Sequence, residues 1–202
     1  MSSQPKTYLT PEEYLAIERK AETKSEYFNG VMYPLRDRVK PHDVFAMVGA
    51  SRKHNLISAN IIVALGQQLR DKPCELYPSD MRVRVPETNL YTYPDVAVAC
   101  GEPKFEDDYF DTLVNPTLIV EVLSPSTASY DRVRKFGYYR TIQSLAEYLL
   151  ISQDEYKVEQ YVKQTDGRWL LSDISSLEGI IELPSIKCTL RLADIYAKVE
   201  LD

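Results

Sequence analysis

A chain of 202 residues, 44% apolar and 27% charged, has the make-up of a globular protein and the length for a single domain, residues 1–202, with a sizeable core. Its net charge of −6 argues against a general nucleic-acid coat protein but not against a nuclease, whose basic charge can be local. There is no signal-peptide pattern, no apolar run near the ~18 residues of a membrane span, and no disulfide framework or zinc spacing among three scattered cysteines and two histidines, so the expectation is a cytoplasmic, reducing location with no membrane partner.

Residues 9–23, LTPEEYLAIERKAET, predict a helix. Thr10 suits the N-cap, Pro11 the first helical position, and Glu12 and Glu13 the positive end of the dipole. Asn29-Gly30, between aromatic and apolar residues, predicts a hairpin turn. Residues 42–71 carry an apolar stripe that predicts one long helix, weakened near its middle by Gly49. Three strands are expected next: CELYPSDMRVRV (74–85), YTYPDVAVAC (91–100) and TLIVEVL (117–123). PETNL marks an antiparallel loop between the first two. YDRVRKFGYYRTI (130–142) predicts a helix with Ser129 as N-cap. Val133, Phe136 and Tyr139, recurring at threes, should mark its sheet-facing side. AEYLLIS (146–152), KVEQYVKQ (157–164) and WLLSDIS (169–175) read as further strands, and the tail 176–200 as a short strand and a closing helix. The order implies an α/β domain with a mixed sheet.

One residue sits badly in this scheme. Glu121 lies inside an apolar, β-branched run, and burying an ionised carboxylate costs several kcal/mol unless it is compensated. It can face solvent at a sheet edge, pair with a cation, stay protonated or bind a metal. Asp95 begins the preceding strand, and the two carboxylates converge if those strands are neighbours. Asp80, one strand earlier, can join them. Carboxylates without His or Cys form a hard-oxygen site suited to Mg²⁺ or Mn²⁺. Each position also has an ordinary reading: a turn residue for Asp95 and Asp80, a helix-end charge for Glu26, a surface ion pair of Lys135 with Asp131, and a packed or phosphate-facing side chain for His54. Arg36, Arg38 and Lys40, Arg52 and Lys53, Arg82 and Arg84, and Arg132, Arg134 and Lys135 read singly as solvated faces, and the fifteen tyrosines as core and rim. A two-carboxylate glycosidase would want an aromatic sugar cleft, for which Trp169 is the lone tryptophan.

A Pro-Asp pair followed by a glutamate in an apolar strand resembles the PD-(D/E)XK nuclease superfamily. The larger pattern EYFNG, YPDVAV, LIVEVLSPST, DRVRKFGYY and EYLLIS resembles the bacterial Uma-two family of restriction-endonuclease-like proteins over residues 8–195. The resemblance implies a restriction-endonuclease-like mixed β-sheet flanked by helices. It further implies a Mg²⁺- or Mn²⁺-dependent DNA endonuclease in which Asp95, Glu121 and Lys135 are catalytic. The Val122 carbonyl is expected to complete the metal shell beside Asp95 and Glu121, and the enzyme to be a homodimer. Glu26 matches an N-terminal family acid. The lysine that the superfamily places two residues after the glutamate is absent, since position 123 is Leu, so Lys135 on the next helix takes that role. The competing expectation is an inactive nuclease-fold module that binds nucleic acid or protein.

Overall fold

The structure, a computed structural model, describes residues 8–35, 51–124 and 128–201. Helix α1 (Pro11–Glu18) begins with the expected cap. Thr10 Oγ1 accepts the Glu13 N–H and the Glu13 carboxylate accepts the Thr10 N–H, a reciprocal capping box. Strands β1 (Ser25–Phe28) and β2 (Val31–Pro34) form the expected hairpin. Asn29 and Gly30 adopt φ of 45° and 89°, the left-handed conformations that a tight hairpin turn requires.

Two of the expected strands are each two strands. Residues 74–85 divide into β3 (Cys74–Pro78) and β4 (Arg82–Val85), and residues 90–100 into β5 (Leu90–Thr92) and β6 (Val96–Cys100). The division occurs at Pro78 and Pro94, which have no N–H to donate to a ladder. In both cases the chain passes from one sheet to another. A five-stranded sheet has the order β2-β1-β5-β4-β7, where β7 is Thr112–Leu113. A six-stranded sheet has the order β11-β10-β9-β8-β6-β3. Its strands β8 (Leu118–Leu123) and β9 (Glu147–Ser152) are parallel, while β10 (Val158–Lys163) and β11 (Trp169–Ile174) add antiparallel at the edge. The sheet is therefore mixed, as expected.

Helix α2 (Arg52–Leu69) packs Ile57, Ile61, Leu65 and Leu69 against Val96, Val98, Leu118 and Val120 on one face of this sheet. Ser51 caps it; residues 42–50 of the expected helix, with His42 and Gly49, lie outside the described residues. The tail holds a hairpin, β12 (Ile180–Leu183) and β13 (Cys188–Arg191), and the short helix α5 (Leu192–Ile195), where one strand and a helix were expected; both pack into the same core. The opposite face meets the five-stranded sheet and the helical segment 128–139. Among the described residues, no helix is long and apolar enough to cross a membrane.

The segment 128–139 departs from expectation in three ways. Ser129 lies inside α3 (Ala128–Tyr130) and does not cap it. A π turn, Asp131–Lys135, separates α3 from α4 (Phe136–Tyr139), and the Phe136 N–H bonds back to the Asp131 carbonyl, five residues away. Val133, expected to face the sheet, is 69% exposed. The π turn supplies the reason. Four residues overshoot a full α turn by about 40°, whereas the wider i→i+5 turn absorbs them. Asp131, Lys135 and Tyr139 thereby share one buried side and Val133 turns outward. The Tyr148 hydroxyl donates to the same Asp131 carbonyl at 3.2 Å, the kind of side-chain insertion that opens a helical ladder.

Cys74 and Cys100 form a disulfide, contrary to the absence of pairing expected from their scatter. The antiparallel register of β3 and β6 sets the two residues opposite each other. Cys188 is free and buried.

Candidate active site

The site lies at the seam between the two sheets. Strands β6 and β8 pair antiparallel with Val96 opposite Val120, so the ladder continued by one residue sets Asp95 opposite Glu121. Asp95 is held where the chain leaves β5 for β6. Its Oδ2 accepts the Val122 N–H at 2.7 Å, and His54 Nε2 lies 3.0 Å from its Oδ1. Glu121 is buried in the centre of β8. Its Oε1 accepts from Lys135 Nζ at 2.9 Å and from the Tyr139 hydroxyl at 2.9 Å. Glu26 arrives from the other sheet on β1, accepts the Thr92 hydroxyl at 2.6 Å and lies 3.7 Å from Lys135 Nζ. Asp131 completes the group at 3.6 Å from the same ammonium.

Electrostatics follow from this crowding. Burial pushes the Glu121 carboxyl up to about 8; Lys135 opposes the rise, while the nearby charges of Asp131 and Asp95 add to it. Burial also works against the Lys135 ammonium, but Glu121, Glu26 and Asp131 outweigh it and hold its pKa well above the ordinary lysine range. The Tyr139 hydroxyl is pushed up by burial and by Glu121. Three carboxylates thus surround one ammonium, with Asp95 close by. These clustered carboxyl oxygens suit a hard divalent cation. Among the described residues, no three His, Cys, Asp or Glu side chains form a preformed metal cage. That is compatible with Mg²⁺, which needs only one or two carboxylates because it retains several waters.

The structure therefore brings Asp95, Glu121, Lys135 and Glu26 together. Glu26 is a buried strand residue and not the helix-end charge expected. The Lys135–Asp131 pair is buried and not on the surface. Asp80 does not join the site: it sits in the turn between β3 and β4, its side chain is 83% exposed, and it pairs with Lys24. Arg82, expected on a solvated face, is buried against Asp111 and Thr112, while Arg84 pairs with Glu106 and Arg132 with Glu159. Two contributors, Tyr139 and His54, have other roles in the sequence reading. Tyr139 follows Lys135 by four residues and Asp131 by eight, a spacing of fours that competes with the apolar threes. His54 stands three residues after the helix cap Ser51, which is the signal that it belongs to the helix's leading turn.

A mixed sheet whose central strand carries a carboxylate, with a second carboxylate on the adjoining strand and a lysine from the following helix, defines a restriction-endonuclease-like α/β fold. Residues 11–193 match the Uma2 family, described as "Putative restriction endonuclease", and the chain belongs to this family. It is 41% identical to "Uncharacterized protein sll1609" of Synechocystis sp. over 179 residues, 89% of this chain and 94% of that one. It is 36% identical to "Uncharacterized protein slr1290" of the same organism over 194 residues, 96% and 94% of the two chains. Among solved structures it resembles "a putative nuclease belonging to DUF820" from Anabaena variabilis, with a TM-score of 0.72 and 18% identity, covering 95% of this chain and 99% of that one.

Proposed function

We propose that this chain is an endonuclease that hydrolyses phosphodiester bonds in DNA, acting as a single domain with Mg²⁺ or Mn²⁺ held by Asp95, Glu121 and the Val122 carbonyl. A bound divalent cation supplies an activated water and offsets charge on the phosphate. Asp95 is oriented for ligation through its bonds to His54 and the Val122 N–H. Tyr139 keeps the Glu121 carboxylate directed at the seam through its 2.9 Å bond. Lys135 supplies a compact positive donor for charge developing on the phosphate oxygens. Glu26, through Lys135 and Thr92, steadies that ammonium. Cleavage of both strands needs two such sites, which favours a homodimer.

The observation that carries this reading is the Lys135 ammonium 2.9 Å from Glu121 amid surplus carboxylates. The test is cleavage of mixed single- and double-stranded DNA with Mg²⁺ or Mn²⁺, paired with calorimetric Mn²⁺ titration. Wild type should cleave and bind; Asp95→Ala should do neither. DNA binding without cleavage under every metal condition would replace the reading with an inactive interaction module.

A further inference from the structure

We infer that His54 is a positioning residue for Asp95, fixing that carboxylate in the orientation that receives the divalent cation; the inference rests on the metal-dependent reading above. An ionised carboxylate only accepts hydrogen bonds, so the 3.0 Å contact between His54 Nε2 and Asp95 Oδ1 places the imidazole proton on Nε2. The other Asp95 oxygen accepts the Val122 N–H. One hydrogen bond on each oxygen leaves lone pairs on both for a cation, while a helix and a strand together fix the plane of the carboxylate.

His54 is itself anchored. Its backbone N–H donates to Ser51 Oγ at 3.0 Å, and the Ser51 hydroxyl donates to Gln153 Oε1 at 2.5 Å. Gln153 is buried immediately after β9, the parallel neighbour of β8, in which Leu150 lies opposite Glu121. A continuous path thus runs from β9 through Gln153, Ser51, His54 and Asp95 to Val122 on β8. The imidazole links α2 to the strand that bears Glu121, so the two proposed metal carboxylates are set by one framework. Direct ligation by His54 is disfavoured because Nε2, the nitrogen that faces the site, is engaged with Asp95.

The test is Mn²⁺ titration calorimetry on wild type, His54→Ala, His54→Gln and His54→Asn, with electron paramagnetic resonance of the bound ion. Loss of a residue that orients a metal ligand weakens affinity by about 10–100-fold, and His54→Ala should fall in that range. The glutamine amide N–H reaches the place of Nε2–H, so His54→Gln should recover most of the affinity. The asparagine amide reaches only the place of Nδ1, so His54→Asn should remain as weak as His54→Ala. A purely structural role would not separate Gln from Asn in this order. Equal Mn²⁺ affinity in wild type and His54→Ala, failure of His54→Gln to recover, or a nitrogen bound directly to Mn²⁺ overturns the positioning role alone. Absence of Mn²⁺ binding in the wild type overturns it together with the reading on which it rests.

Discussion

Replacing Glu121 by Gln should stabilise the metal-free protein, by an amount that grows with pH. The folded-state carboxyl is raised from its ordinary 4.5 to about 8, chiefly by burial. Below the ordinary value, the group is protonated in both folded and unfolded states and contributes no linkage. As pH rises further, the unfolded chain releases the proton while the folded chain keeps it, so wild-type stability falls by about 1.4 kcal/mol per pH unit. The fall ends once pH passes the folded value, after a total of about 5 kcal/mol. The amide in the Glu121→Gln variant cannot titrate, and its carbonyl still accepts from Lys135 and Tyr139. The assay is urea unfolding of both proteins in chelator at pH 5, 6, 7 and 8. The expected result is a stability difference in favour of Glu121→Gln that widens by several kcal/mol across the series. A difference that stays constant would mean that Glu121 is ionised throughout, locked in a structural ion pair with Lys135, and would refute the electrostatic account of the site.

Lys135→Met leaves Glu26, Asp131 and Glu121 without their shared ammonium, and breaking a buried pair costs about 3–5 kcal/mol; chemical denaturation should show that loss. Mn²⁺ binding, by calorimetry, should persist while DNA cleavage disappears, and Lys135→Arg should restore little cleavage because the guanidinium is bulkier. Val133→Ser should change stability by no more than about 0.5 kcal/mol, whereas Phe136→Ala, which removes a partly buried ring packed among Tyr148, Tyr161 and Trp169, should cost about 1–3 kcal/mol. Thermal melts of the two variants check the turned register of the helical segment.

What was legible in the sequence was local. Thr10 with Glu13 makes a cap from residues three apart, and Asn29-Gly30 makes a turn from neighbours, so both appear where expected. Glu121 betrayed itself by being a charge in an apolar strand, and Asp95 by its Pro-Asp start. What stayed hidden depends on contacts distant in sequence. Neither the passage of 74–85 nor that of 90–100 between two sheets is encoded by alternation, because both halves have strand-like composition. Glu26 looked peripheral because its partners, Thr92 and Lys135, are 66 and 109 residues away along the chain. Cys74 and Cys100 are 26 residues apart and meet only through strand register. The Asp131 carbonyl that anchors the π turn also accepts the Tyr148 hydroxyl, a contact that no helical periodicity within 130–142 can announce.

The π turn makes the site sensitive to counting. An i→i+5 turn accommodates one residue more than an α turn, and each residue of an α-helix advances the side-chain direction by about 100°. If the turn closed as α with every residue retained, Phe136 and Tyr139 would hold their places on the sheet while the upstream side chains swung around the axis, and the acid at 131 would turn away from the ammonium. A single-residue deletion inside the turn that also closed it as α would leave the upstream bearings nearly unchanged. Residue count and turn form in this segment are therefore coupled: changing one without the other exchanges members of the site, with β8, β9 and the core unchanged.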